Sequence, residues 1–351
     1  MRILAIGDPH FKTTNIKEST EMVNAIYNLL EKEQDNLDFI IVMGDILDRH
    51  ETIHVNPLTL AVKFLLTLAT KKKTYVLIGN HDRPNNSDFL SDYHPFVGLN
   101  NINNLVIIDK VIIDTINNKN FIFVPYVYPG LFKKALYTLN EKQKINDILD
   151  PMKITCIFCH QEFYGTKMGS IISVSGDKWN TTDPMIISGH IHDYYRPQEN
   201  IIYIGTPMQH AFGDRDDKTV SIFTFHDNCK IPDEHRVDLN LTKKYIINID
   251  CKDLSSWTPP ENGLIKLVIK GSSSEIKAIK KFDYLKDLMK KNIKITYKPT
   301  DDFINTMNIK ETIKDSSLDT LKLPYAIRLK EKVKNNEYHK KLLVELFPNL
   351  K

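Results

Sequence analysis

Five short apolar runs in this chain end alike, each followed within a few residues by oxygen and imidazole donors: "RILAIGDPH", "FIIVMGDILD", "TYVLIGNHD", "ITCIFCHQEF" and "MIISGHIH". The first three alternate with stretches over roughly 17–33 and 56–70 whose apolar residues recur at three- and four-residue spacing, which predicts amphipathic helices. Strands alternating with helices make an α/β domain, and ligand sites in such domains gather at the carboxyl ends of the strands. The five endings are therefore expected to face one crevice.

Taken singly, each donor has a structural explanation. A lone Asp after a strand commonly caps a helix, and a lone buried His commonly satisfies a hydrogen bond. Capping does not explain Asp8, His10, Asp45, Asp48, Asn80, His81, Asp82, His160, His190 and His192 together. Asp8 and His10 are expected to face the same side, because two residues is the repeat of a strand. Carboxylates can bridge two cations, imidazoles supply neutral nitrogen ligands, and an Asn carbonyl completes a shell without adding charge. No cysteine stands at these endings, which argues against structural zinc. Two metals about 3.5–4 Å apart lower the pKa of a bridging water and clamp both oxygens of an in-line displacement at phosphorus. The chemistry so implied is phosphoester hydrolysis.

Beyond the third ending, "NLVIID", "KVIID" and "NFIFVPY" at 104–126 read as closely spaced antiparallel strands. "IIYIGTPMQHAFGD" and "TVSIFTF" then close a first domain near residue 240. Residues 243–300 hold 13 Lys+Arg against 6 Asp+Glu, a net +7, whereas residues 1–242 carry −6 and residues 301–351 carry +2. The basic segment reads as a small αβ subdomain over 241–300. A helix near 275–291 is expected to line up Ile276, Ile279, Phe282, Leu285 and Met289, with lysines including Lys277, Lys280 and Lys281 over the remainder. Residues 301–351 are expected to be helical, with Leu342, Leu343, Leu346 and Phe347 on an apolar side. "CIFC" at 156–159 lies in a β-like run, where positions three apart face opposite sides, so the two thiols are expected to diverge into packing.

No apolar window is long enough for a membrane span. The apolar stretch at 3–6 is too short for a secretory core, and four cysteines in 351 residues suit a reducing compartment. The chain is expected to be soluble and intracellular, in the cytoplasm or nucleus of a host. Abundant Asn, Lys and Ile fit an AT-rich genome such as that of a virus or phage.

The ordered set "GDPH", "GDILD", "GNHD", "CHQEF" and "SGHIH" resembles the calcineurin-like metallophosphoesterase signature. Within that superfamily "YIGTPMQHAFGD" at 203–214 resembles the Gly-Ser-Pro and Phe-Gly-Glu segment of the SbcD-type DNA-repair nucleases, phage recombination endonuclease subunits included. The resemblance implies a four-layer sandwich, two mixed sheets flanked by helices, with a small αβ capping domain and a helical C-terminus. It places Asp8, His10 and His192 on one divalent ion, Asn80, His160 and His190 on a second, and Asp45 between them, with Mn2+ expected and Mg2+ an alternative. It makes His81 the general acid, oriented by Asp48 through its other ring nitrogen; Asp82 reads instead as holding the local turn. "GDILDRH" also resembles a stretch of the Ser/Thr protein phosphatases, and in either enzyme Arg49 would meet substrate phosphate. The implied partners are DNA, an SbcC-type ABC ATPase held by the C-terminal helices, and a second copy of the chain, for which Leu58, Leu60, Ala61, Phe64, Leu65 and Leu68 form a candidate stripe. Alternatives are a phosphatase or small-molecule phosphodiesterase, and a DNA-end tether without turnover.

Overall fold

The structure is a computed structural model that describes residues 1–141, 148–169, 171–227, 229–260, 262–291 and 293–300. The expected helical segment 301–351, with its role in holding an ATPase, lies outside the described residues. The chain divides into two compact units, one of residues 1–246 with 259–266, the other of residues 247–258 with those from 267 onward.

The first unit opens with strand β1 (Arg2–Ile6), helix α1 (Ile16–Glu33), strand β2 (Phe39–Val42), helix α2 (Val55–Lys71), and strands β3 (Thr74–Leu77) and β4 (Leu105–Ile108). Strands β5 (Ile112–Ile116) and β6 (Lys119–Val124) and helix α3 (Phe132–Tyr137) follow. Strand β7 (Cys156–Cys159), a ribbon of β8 (Lys167–Met168) and β9 (Ile171–Ile172), then β10 (Ile186–Ser188), β11 (Tyr195–Gln198), β12 (Ile201–Tyr203), β13 (Val220–Thr224) and β14 (Asp233–Val237) complete it.

Two six-stranded sheets result, ordered β14-β13-β1-β2-β3-β4 and β11-β12-β10-β7-β6-β5. Both are mixed: β1, β2, β3 and β4 run parallel while β13 and β14 are antiparallel, and β6, β7, β10 and β12 run parallel between antiparallel edges. Alternation along the strands explains the layering. Ile3, Ala5, Phe39, Ile41 and Tyr75 of one sheet pack on Phe121, Phe123, Phe158 and Ile187 of the other. Leu4, Ile6, Ile40 and Val42 point the opposite way into a core with α1 and α2, and Ile122, Ile157 and Ile186 do so with α3. This is the four-layer sandwich expected from the sequence. Phe39 sits at its centre, its ring 5.1–6.1 Å from those of Tyr75, Phe121, Phe123 and Phe158. Truncating a ring so placed costs about 3–5 kcal/mol.

Three expectations are corrected or settled here. Leu105–Ile108 is not antiparallel to the next run: it pairs parallel with β3 in one sheet, while β5 and β6 form a hairpin in the other. Asn117 and Asn118, at φ 49° and 61°, supply the turn that lets the chain fold back within that second sheet. The sulfurs of Cys156 and Cys159 do diverge, into separate cores. In the candidate dimer stripe, Ala61, Phe64, Leu65 and Leu68 are fully buried beneath α2, so this face is spent on the chain's own core.

The second unit holds most of a three-stranded sheet, β15 (Lys244–Asp250), β16 (Leu264–Gly271) and β17 (Lys294–Pro299), with helices α4 (Ser273–Ile279) and α5 (Asp283–Lys290). Ser272 and Glu275 start α4 with a reciprocal capping box. The single helix expected near 275–291 breaks where Phe282 adopts an extended backbone. The break lets Leu285 and Leu288 bury, leaving Phe282 and Met289 outside at 52% and 54% exposed. Among the described residues no helix is long and apolar enough to cross a membrane.

Candidate metal centre

All five donor-bearing endings meet. Asp8, Asp45 and Asn80 follow β1, β2 and β3 of the first sheet, and His160 and His190 follow β7 and β10 of the second. The strand repeat is not what aligns Asp8 with His10, because β1 ends at Ile6 and His10 sits in the left-handed region at φ 44°. Asp45 at φ 46° and His190 at φ 78° share that conformation, which L residues adopt at a cost. Glycines make room for these turns. A Cβ on Gly79 would stand 2.2 Å from Asp45 Oδ1, and one on Gly189 would stand 2.5 Å from Asp8 Oδ1.

Two groups of donors form, Asp8 with His10 and His192, and Asp45 with His160 and His190, the ligand atoms within each lying no more than 4.8 Å apart. Asp45 joins them: its Oδ2 is 3.3 Å from His160 Nε2 and 3.5 Å from His10 Nε2. His160 donates its Nδ1–H to the Met43 carbonyl at 2.7 Å, which turns Nε2 inward. That nitrogen is 3.1 Å from Asn80 Oδ1 and 3.3 Å from His190 Nδ1, and Asn80 Oδ1 is also 3.1 Å from His190 Nδ1. On the other side the Nε2 atoms of His10 and His192 are 3.0 Å apart. Asp8 Oδ1 and His10 Nδ1 are buried without a hydrogen-bond partner. Orphaned buried polar atoms amid a close cluster of carboxylate, amide and imidazole donors are what a pair of cations would satisfy, so the donor set fits two divalent metals.

Proton placement in the bare site shows the same crowding. Burial pushes the Asp8 carboxyl up to about 8, against the pull of His160. Burial opposes charge on His160, but Asp45 and Asp8 outweigh it and lift the imidazole to about 9. Asp45 is held well below the usual carboxylate range, its burial overcome chiefly by His160. Burial depresses His10 and His192 and brings His190 down to about 3, with His160 as the second cause. The imidazoles of His10, His190 and His192 are thus neutral, the form that ligates metal.

His81 stands beside the cluster, half-buried, with Nε2 4.0 Å from Asp45 Oδ2. Its Nδ1 is 2.8 Å from the main-chain carbonyl of Asp48, and its backbone N–H donates to Asp45 Oδ1 at 2.8 Å. The orienting contact expected from the Asp48 carboxylate is therefore made by the Asp48 backbone. The carboxylate turns elsewhere, accepting from Lys12 Nζ at 3.1 Å and lying 3.6 Å from His10 Nδ1. Asp82 holds the turn, as expected, accepting from the backbone N–H groups of Ile46, Leu47 and Gly79. Arg49 is exposed beside His81 and makes no ion pair among the described residues. Lys277 and Lys281 are exposed on the second unit, and Lys280 lies over the Tyr297 ring at 4.5 Å.

Sequence reasoning passed over three groups. His210 reaches Asp8 from "MQHAFGD", its Nε2 3.0 Å from the Asp8 carbonyl. His50 stacks on His81, centroids 5.0 Å apart and planes at 10°. Tyr126 closes the far wall, its ring 5.7 Å from His190. His210 and His50 lay in stretches singled out beforehand, "YIGTPMQHAFGD" and "GDILDRH", without being marked as site residues, and Tyr126 ends a run read only as a strand.

Comparison with known proteins gives the same answer as the geometry. The calcineurin-like phosphoesterase family matches residues 1–201. The chain is 41% identical over 284 residues to "Putative phosphoesterase 244L" of Invertebrate iridescent virus 6, covering 80% of this chain and 97% of that protein. It is 36% identical over 323 residues to "Putative phosphoesterase 078R" of Invertebrate iridescent virus 3, covering 91% and 87% respectively. A crystal structure of a hypothetical protein from Thermus thermophilus aligns over 68% of this chain and 99% of that one, at 14% identity and a TM-score of 0.38, too distant to bear on function. With two adjacent groups of metal-ligating side chains and a family match across the strands that carry them, this chain belongs to the calcineurin-like phosphoesterases, metal-dependent hydrolases of phosphoesters.

Proposed function

We propose that the protein is a two-metal DNA exonuclease and endonuclease, the nuclease subunit of an SbcCD-like repair and recombination complex. The observation that carries the reading is Asp45 Oδ2 lying 3.3 Å from His160 and 3.5 Å from His10, where one carboxylate would help hold both ions. When bound, the ions, Mn2+ by preference, would supply Lewis acidity and charge neutralisation at the scissile phosphate. The chain's own part is proton transfer and orientation. Water forms the new bond to phosphorus as the bond to the leaving oxygen breaks. That oxygen takes the proton held on His81 Nε2, and the proton lost by water passes to solvent, from which His81 is recharged. The Asp48 carbonyl on Nδ1 keeps Nε2 aimed at the cluster.

DNA is favoured over a smaller substrate by charge. The +7 of residues 243–300 follows a phosphoesterase domain of net −6, and exposed cations such as Lys277 and Lys281 suit a phosphate backbone. Residues 241–300 then act as the capping domain, residues 301–351 bind an SbcC-type ATPase, and the complex works as a dimer inside the cell. The second reading, a phosphatase or small-molecule phosphodiesterase, uses the same metal centre without the basic segment. The test compares Mn2+-dependent nicking and resection of linear duplex DNA with hydrolysis of a chromogenic phosphodiester and of a phosphoprotein. Cleavage of DNA, weakened when Lys277, Lys280 and Lys281 are changed to Glu while the chromogenic rate holds, is the expected result. Turnover of the small substrates with intact DNA overturns it.

A further inference from the structure

Beside the metal cluster lies a groove of about 360 Å3 of which His81 forms one wall. Its other walls are unlike the metal centre. Ile53 at 48%, Val97 at 47% and Tyr93 at 70% exposed hold apolar surface open to solvent, and Arg49 stands at the margin with no ion pair among the described residues. The Tyr93 ring stacks on no other aromatic ring among the described residues, so its face is free. Three carboxylates also line the groove: Asp82, which is taken up by backbone N–H groups of its turn, and the exposed Glu51 and Asp92. They disfavour a run of phosphates lying along it, yet they can accept from the amino or imino groups of a neutral base. The volume is near the lower end for small-molecule sites, enough for one nucleoside rather than a duplex.

The position of His81 says which part of a substrate the groove meets. Its Nε2 faces the metal cluster and its ring lines the groove, so a leaving oxygen protonated by His81 carries its substituent into that groove. Resting on the nuclease reading above, we infer that this groove is the leaving-nucleoside subsite: the base stacks on Tyr93 between Ile53 and Val97, and Arg49 meets the next phosphate. The enzyme then prefers to cut where the nucleoside beside the scissile phosphate is unpaired, at an end or a flipped position, because a base held in a duplex cannot enter.

The test uses the full-length Mn2+-loaded protein and thymidine dinucleotides in which either base, in turn, is replaced by an abasic tetrahydrofuran. Product analysis shows which nucleoside leaves. Removing the base on that side is expected to lower kcat/KM by about tenfold, the scale of a base–aromatic stack. Removing the other base has a smaller effect. Tyr93→Ala, at an exposed site whose loss does not threaten the fold, brings the intact dinucleotide down to the abasic rate and leaves the abasic rate unchanged. Tyr93→Phe keeps the preference. Equal rates in the wild-type protein, or a preference that survives Tyr93→Ala, overturn the subsite while leaving the nuclease reading in place. Hydrolysis of bis(p-nitrophenyl) phosphate with every dinucleotide intact overturns both.

Discussion

His10 Nε2 and His192 Nε2 lie 3.0 Å apart, the first buried and the second at the exposed mouth of the site, each imidazole held neutral by its surroundings. At most one proton can sit between two such nitrogens, and Asp45 and Asp8 add carboxylate oxygens to the same volume. Cations resolve that conflict, and the consequences of this arrangement can be measured separately.

His81→Ala should lower DNA cleavage by about 10²–10⁴-fold, the range for loss of a general acid. Metal content, read by elemental analysis, should be unchanged, because His81 belongs to neither donor group. A p-nitrophenyl ester, whose leaving group needs little protonation, should lose much less. Equal losses on both substrates would remove the acid role.

Asp48→Ala separates the backbone from the side chain. The carbonyl that orients His81 survives the change, while the carboxylate beside Lys12 and His10 is lost. Metal affinity is expected to fall by about 10–100-fold, and the rate at saturating Mn2+ to stay within a few-fold of wild type. A collapse of the saturated rate with full metal occupancy would return the orienting role to the carboxylate.

The metal-free protein should lose stability as pH rises from 7 to 8.5. Asp8 at about 8 and His160 at about 9 both titrate above their unfolded values of about 3.9 and 6.5, so the folded state binds more protons there. Their stabilisation is full below the unfolded values and is lost as pH climbs through the folded ones, at most about 1.4 kcal/mol per pH unit for each group. The depressed His10, His190 and His192 act oppositely, but only as pH falls below about 6.5. Melting of chelator-treated protein should therefore decline with pH over that window, and Mn2+ should reverse the decline. A flat or rising profile contradicts it.

Much of this was legible in the chain because strand endings are local. Gly44-Asp45 and Gly79-Asn80-His81 announce their position by the apolar run before them and the donor after it, and the sheets need only run in parallel to bring them together. Contacts that depend on where a side chain turns were not legible. Asp48 reads in the sequence as the orienter of His81, and only the fold shows its carboxylate turned instead to Lys12, 3.1 Å away. The stripe on α2 is a related case: spacing shows that Phe64 and Leu68 share a face, not what covers it, and the chain's own core covers both, while Leu58 and Leu60 are half-buried.

The central claim is that one carboxylate, Asp45, joins two metal sites. Electron paramagnetic resonance of protein loaded with two equivalents of Mn2+ tests it most directly, since ions sharing a carboxylate are magnetically coupled. The account predicts an exchange-coupled signal from the wild-type protein that Asp45→Ala abolishes. Six-line spectra of isolated Mn2+ in the wild type, at full occupancy of both sites, would contradict it.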